Sequence, residues 1–234
     1  MEKVIVCWSG GKDSALAFHE LSKSHRYEVV SLLTTVTADY DRISMHGVRC
    51  SLLRQQARNM GMPLCEISIS RICSNEEYEA KMAAALTGFK KDGVSSVVFG
   101  DIFLEDLRCY REENLARLGM KAIFPIWRRD TTELARSLVP SGFQAITACV
   151  DTRKLDKSFA GRLIDEQFLN DLPEGVDPCG ENGEYHSFVF DGPIFKSKIL
   201  FSTGEKVLRD SFFCFCDLVP VGGGVVTNYL LIQS

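Results

Sequence analysis

The chain has 234 residues, 45% hydrophobic and 25% charged, with a formal net charge of −4. This is the composition of a globular protein with one large or two small domains, and its acidic balance gives no general electrostatic footprint for nucleic acid. No stretch approaches the ~20 apolar residues of a bilayer span, the first residues lack an export signal, and nine cysteines without a Cys-x-x-Cys pair suggest reduced thiols, so the expectation is a soluble cytoplasmic protein with no membrane partner.

In chain order, residues 3–8 read as a short buried strand, and spacing turns helical over 14–21. A β-rich run covers 28–37, a basic amphipathic helix 48–60 ends at Gly61, and residues 63–68 form a third strand. Residues 76–91 are helical and close at Asp92-Gly93, and the β-branched run 95–99 ends in Gly100-Asp101. A charged helix over 104–118 and a strand over 121–127 complete an alternation that predicts a mainly parallel, doubly wound α/β sheet with ligands beyond the carboxyl ends of its strands. Arg128-Arg129-Asp130 marks the boundary of this first domain, residues 1–128.

Residues 129–220 read as a smaller α+β domain, with helices over 131–138 and 159–172 and strands over 143–150 and 185–190. A hairpin is expected about Ser202-Thr203-Gly204-Glu205. In the aromatic run Phe212-Phe213-Cys214-Phe215-Cys216, alternation predicts both thiols on one buried face. Residues 221–234 form a tail of no evident chemistry.

The most informative string is Ser9-Gly10-Gly11-Lys12-Asp13-Ser14, set between the first strand and first helix. Adjacent glycines allow a tight turn that brings backbone N–H groups close to an anion, and the helix N-terminus adds its positive dipole end. Lys12 supplies a point charge and Ser9 and Ser14 supply hydroxyls. Asp13 would repel phosphates unless it holds Mg²⁺ or caps the helix. The string is not a Walker loop, because Asp13 rather than Ser or Thr follows Lys12. It resembles the Ser-Gly-Gly-x-Asp-Ser motif of PP-loop ATP pyrophosphatases, which implies an adenine nucleotide alpha hydrolase-like (HUP) first domain and cleavage of ATP to AMP and pyrophosphate.

A second dense segment runs through Gly180-Glu181-Asn182-Gly183-Glu184-Tyr185. Alone it is a surface turn feeding a strand. Together with the phosphate turn, Met45-His46-Gly47, Phe99-Gly100-Asp101-Ile102, Asp106 with Arg111 and Glu113, and Pro125-Ile126-Trp127, it resembles the diphthine–ammonia ligase (diphthamide synthase) family over residues 3–217. The resemblance implies that ATP adenylates the carboxylate of diphthine, a modified histidine, releasing pyrophosphate. Ammonia then displaces AMP to leave the amide. The partners implied are ammonium and, where the source is archaeal or eukaryotic, a diphthine-bearing elongation factor 2; a homo-oligomer is compatible.

On this resemblance Lys12, Asp13 and Asp101 are the catalytic candidates, with Asp13 and Asp101 as ligands to Mg²⁺; a ribose contact or a helix cap is the alternative for Asp101. Thr34, Thr35, His46 and Gly100 join Ser9 to Ser14 around the nucleotide, although Thr34 and Thr35 could equally pack in the core. Arg111, Glu113, Glu181, Asn182, Glu184 and Tyr185 are assigned to the substrate, with Glu181, Glu184 and Tyr185 facing diphthine's trimethylammonium group and a solvated helix face as the alternative for Arg111 and Glu113. Competing readings are a PP-loop enzyme that modifies tRNA and an ATP-binding regulatory module without turnover.

Overall fold

A computed structural model describes residues 1–43 and 46–221; Met45 and the tail from residue 222 lie outside the described residues. The first sheet is built around β1 (Glu2–Cys7). On one side β1 pairs in parallel with β2 (Tyr27–Thr37), which pairs in parallel with β4 (Leu64–Ile69). On the other side it pairs in parallel with β5 (Ser96–Val98), and β5 with β6 (Lys121–Ile123). The two-residue β3 (Arg42–Ile43), which the sequence reading did not foresee, lies antiparallel to the end of β2. The chain builds outward from β1 first through β2 and β4, then on the opposite side through β5 and β6. The carboxyl end of β1 is therefore the point where strand order reverses, and a crevice opens there.

Alternation along β1 explains the two-sided burial. Val4, Val6 and Trp8 enter one buried cluster with α1 (Lys12–Ser22) and α2 (Cys50–Met60). Ile5 enters the other, with residues of α3 (Asn75–Lys91) and α4 (Glu105–Arg117). Helix ends follow the sequence signals: Ser74 accepts the N–H of Glu77 at the start of α3, and Gly61 at φ 70° closes α2.

Beyond α5 (Thr131–Ser137) the chain forms a four-stranded antiparallel sheet from β7 (Gln144–Asp151), β8 (Tyr185–Asp191), β9 (Phe201–Arg209) and β10 (Phe213–Pro220), in the order β8, β7, β10, β9. Cys214 and Cys216 are buried on one face of β10, as alternation predicts. The cluster that holds Val4 and Val6 continues without a break through Leu134, Phe143, Val150 and Phe188, so the two sheets share one core.

Three elements differ from the sequence reading. The helix expected over 159–172 shrinks to α6 (Glu166–Asn170). Upstream of it the chain makes one 3-10 turn over Lys157–Phe159 and then bonds to β7, with Gly161 N–H donating to the Thr147 carbonyl and Thr147 N–H to that of Arg162. The hairpin expected about Ser202 to Glu205 is instead straight strand, and the chain reverses at Asp210 and Ser211, both at positive φ. Gly204 serves close strand approach rather than a turn: a Cβ there would lie 3.3 Å from side-chain atoms of Asp217 and Val219. β6 stops at Ile123, two residues before Pro125, which has no N–H to give a ladder.

One glycine sets the width of the crevice. A Cβ on Gly100, just past β5, would stand 2.7 Å from the backbone carbon of Asp13 and 2.8 Å from the nitrogen of Ser14, atoms that cannot swing aside. Gly100→Ala should therefore cost about 1–3 kcal/mol by forced overpacking, read as a lower urea midpoint at unchanged m-value.

Candidate active site

The turn from Ser9 to Ser14 lies at the carboxyl end of β1 and lines a cavity of about 370 Å³, within the size range of small-molecule sites. Gly10 adopts φ 77°, which lets the chain reverse into α1. Gly11 is the N-cap of α1 and contributes no side-chain bond, so Asp13 is not the cap. The Ser9 and Ser14 hydroxyls lie 3.3 Å apart, and Ser14 Oγ donates to the Gly11 carbonyl at 2.9 Å.

The turn is braced from behind by two residues that the sequence reading missed. Gln56 on α2 is fully buried: its Oε1 accepts from Trp8 Nε1 at 2.9 Å, and its Nε2 donates to the Gly10 carbonyl at 2.9 Å and the Val189 carbonyl at 2.6 Å. Ser187 on β8 accepts the N–H of Lys12 at 3.0 Å, and the N–H of Val189 donates to the Gly10 carbonyl at 2.9 Å. The free edge of the second sheet thus docks directly on the turn. The signals were present: Gln56 interrupts the apolar face made by Leu52, Leu53 and Ala57, and period two places Ser187 on the same face as Tyr185 and Val189.

Lys12 is a wall group rather than the mobile charge its sequence position suggests. Only 2% of it is exposed; Nζ lies 2.8 and 2.9 Å from the Asp13 oxygens, donates to the Cys179 carbonyl, and sits 5.0 Å over the Tyr185 ring. Burial alone would depress its pKa, but Asp13, followed by Tyr185 and Cys179, outweighs that effect and raises it, so the ammonium stays charged. Tyr185 donates from its hydroxyl to the Pro178 carbonyl at 2.6 Å, so its ring is engaged with Lys12 before any ligand arrives.

The opposite wall holds Asp101 and Glu181. Asp101 is nearly buried and pairs with Arg111 of α4: Nη2 donates to Oδ1 at 3.1 Å, while Nε approaches Oδ2 at 2.8 Å without hydrogen-bond alignment. Asp101 is therefore not a helix cap; Leu104 holds the N-cap position of α4. Glu181 reaches across from the second sheet, its Oε1 accepting the N–H of Ile102 at 2.7 Å. Burial pushes Glu181 up to about 7, opposed by the Ile102 hydrogen bond and reinforced by Asp13 and Asp101.

His46 and His186 close the remaining side, their ring centroids 4.5 Å apart. Burial pushes His186 down to about 4, with Lys12 adding to the effect, and burial followed by His186 holds His46 well below its usual range; both rings are neutral at pH 7. His46 Nδ1 is buried with no hydrogen-bond partner among the described residues. Thr34, Thr35 and Gly100 also line the cavity.

Of the turn residues Gly10 and Gly11 stand behind the lining, and three of the candidates assigned to the substrate are not brought into the cavity. Glu113 is exposed, two positions beyond Arg111 and so about 200° around α4. Asn182 is exposed, and Glu184, 2% exposed, turns into the protein, where its Oε1 accepts from Asn182 Nδ2 at 3.2 Å and lies 3.8 Å from Lys154 Nζ. The turn before β8 directs Glu184 away from the cavity, and its contacts with Asn182 and the Asp177 N–H hold the 177–184 loop. Met45 lies outside the described residues.

The donor set suits a phosphate chain, and among the described residues no group of three or more His, Cys, Asp or Glu side chains is gathered to hold a metal ion. The Ser9 and Ser14 hydroxyls and the N-terminus of α1 face one space, and the Asp13 and Asp101 carboxylates repel that of Glu181 across it. Two outcomes are expected. Gln56→Leu should destabilise by about 1–3 kcal/mol, because Trp8 Nε1 loses its partner in the core, checked by chemical denaturation. Glu181 binds its proton more tightly folded than unfolded, so its contribution to stability falls as pH rises from 4.5 to about 7. Glu181→Gln should flatten that fall in urea midpoints measured from pH 4.5 to 7.5, and an unchanged slope would rule out Glu181 as its source.

Comparison with known proteins places the same residues in a family context. A model of the diphthamide synthase N-terminal domain matches residues 2–122, and one of the diphthamide synthase C-terminal domain matches residues 130–217. A curated protein of Danio rerio named diphthine–ammonia ligase is 32% identical over 94% of this chain and 92% of its own length. One of that name from Homo sapiens is 32% identical over 75% of this chain and 67% of its own. A solved structure from Methanocaldococcus jannaschii, described as a predicted subunit of tRNA methyltransferase, covers 62% of this chain and 77% of its own at 19% identity with a TM-score of 0.41, a slight likeness.

Proposed function

Because the chain belongs to the diphthamide synthase family, we propose that this ATP-dependent ligase converts the carboxylate of diphthine, borne on elongation factor 2, to its amide with ammonium as the nitrogen donor. The observation that carries the reading is the convergence of the Ser9 to Ser14 turn, Asp101 and Glu181 on one cavity at the strand-order reversal beside β1. ATP supplies a leaving group: the carboxylate oxygen bonds to the α-phosphorus as the bond to pyrophosphate breaks, and ammonia then forms the C–N bond as AMP departs.

The chain's own residues position and screen. Ser9, Ser14 and the turn amides hold phosphate oxygens, with Lys12 holding positive charge in the wall beside them. Asp13, 30% exposed at its side chain, and Asp101 would hold Mg²⁺, which would offset the phosphate charge and relieve the repulsion felt by Glu181. Arg111 pairs with Asp101 and orients it. The neutral His46 lines the cavity and adds no charge to it.

The test is product stoichiometry. With ATP, Mg²⁺, ammonium and a diphthine-bearing acceptor, AMP, pyrophosphate and amide should form in equal amounts, followed by nucleotide chromatography and the mass of the acceptor. ATP consumption yielding ADP, or AMP formation with no change in the acceptor, would refute the assignment. Lys12→Met should lower AMP formation roughly 100-fold or more, the scale on which removing a preorganised electrostatic group acts; near-normal turnover would remove Lys12 from the mechanism.

A further inference from the structure

A second cavity, of about 630 Å³, adjoins the first: Ile43 and His186 line both. It is a built feature in which the two sheets meet. Its floor is formed by Phe213 and Phe215, on the face of β10 opposite the buried Cys214 and Cys216. Gly47, at φ 69°, lies flat on Phe215, where a Cβ would come 2.5 Å from the ring. The wall is fixed by Asp217, which accepts from Arg42 Nη2 at 3.0 Å and from Arg49 Nη2 at 2.6 Å. At the mouth, Arg71 and Arg209 lie 6.0 and 5.4 Å from the centre of the Tyr40 ring.

We propose that this second cavity receives the acceptor side chain, with the rings of Phe213 and Phe215 against its quaternary ammonium and imidazole, while its carboxylate passes Ile43 and His186 into the nucleotide cavity. The inference rests on the function proposed above and adds where the acceptor sits. Three observations support it. The acceptor must place one carboxylate at the α-phosphate while remaining attached to a protein, so its site must adjoin the nucleotide cavity and open outward, as this one does. The floor is aromatic, and a quaternary ammonium, which cannot donate hydrogen bonds, is held by ring faces and dispersion. The lining carries three cations, Arg42, Arg71 and Arg209, and three carboxylates, Glu205, Asp210 and Asp217, with Arg42 paired to Asp217, so it presents no net positive charge to repel the trimethylammonium group. The neck is uncharged as well, since His186 is neutral at pH 7.

Phe213→Leu keeps apolar volume but removes the ring; it should raise the KM for the acceptor about 3- to 30-fold and leave the KM for ATP unchanged, while Phe213→Tyr should behave as wild type. Tetramethylammonium, compared with sodium at equal ionic strength, should inhibit the wild-type protein competitively with the acceptor and not with ATP, which tests the cavity without relying on a variant's folding. If the wild-type protein makes no AMP with the diphthine-bearing acceptor, the functional reading falls and this inference with it. If it turns over normally, but Phe213→Leu leaves the acceptor KM unchanged or tetramethylammonium competes with ATP instead, only the placement of the acceptor is overturned.

Discussion

The carbonyl of Gly10 is the joint on which the molecule turns. It accepts from Gln56 Nε2 and from the backbone N–H of Val189, so a helix of the first sheet and the edge strand of the second meet at one oxygen within the phosphate turn. An edge strand presents a row of unpaired backbone groups that must be covered; here part of the β8 edge is satisfied by the turn itself. The adjacent glycines are needed on this account as much as for access to an anion. A Cβ on Gly10 would lie 2.7 Å from Gln56 Oε1, and one on Gly11 would lie 3.1 Å from the Ser187 carbonyl.

Electrostatics around the cavity follow from the same closure. Docking the second sheet buries Lys12 against Asp13, Tyr185 and the Cys179 carbonyl, and carries Glu181 over to the amide of Ile102. Two of the three facing carboxylates are matched by cations, Asp13 by Lys12 and Asp101 by Arg111, while Glu181 is met only by backbone N–H groups and a neighbouring negative field. Burial raises the proton affinity of Glu181, and Asp13 and Asp101 add to it. Glu181 is thus the facing carboxylate without an ion-pair partner.

Much of the first sheet was legible because its signals are local: β-branched runs of strand length, a Gly-Gly turn, helices ended by Gly61 and by Asp92-Gly93. The phosphate turn was legible for the same reason, being six consecutive residues whose chemistry does not depend on distant partners. What the sequence could not convey was long range. Lys12 reads as a free charge until Cys179 and Tyr185, more than 160 positions away, are seen to enclose it. Glu181 and Glu184 look equivalent in the string, yet the turn before β8 sends Glu181 to the Ile102 amide beside the cavity and Glu184 to Asn182 and the Asp177 amide. The helix expected over 159–172 failed because Thr147 competes for its backbone groups, and the hairpin about Gly204 because the glycine answers to a neighbouring strand.

The single core shared by the two sheets also bears on modularity. Val4 and Val6 belong to the same buried cluster as Phe143 and Phe188, and the back of the phosphate turn is completed by Ser187 and Val189. A chain cut between residues 128 and 129 would leave the first half with an exposed apolar face and a Gln56 amide short of one acceptor. The halves therefore cannot be shuffled onto other partners as independent cassettes, and change at the acceptor side has to preserve the strand that braces the nucleotide turn.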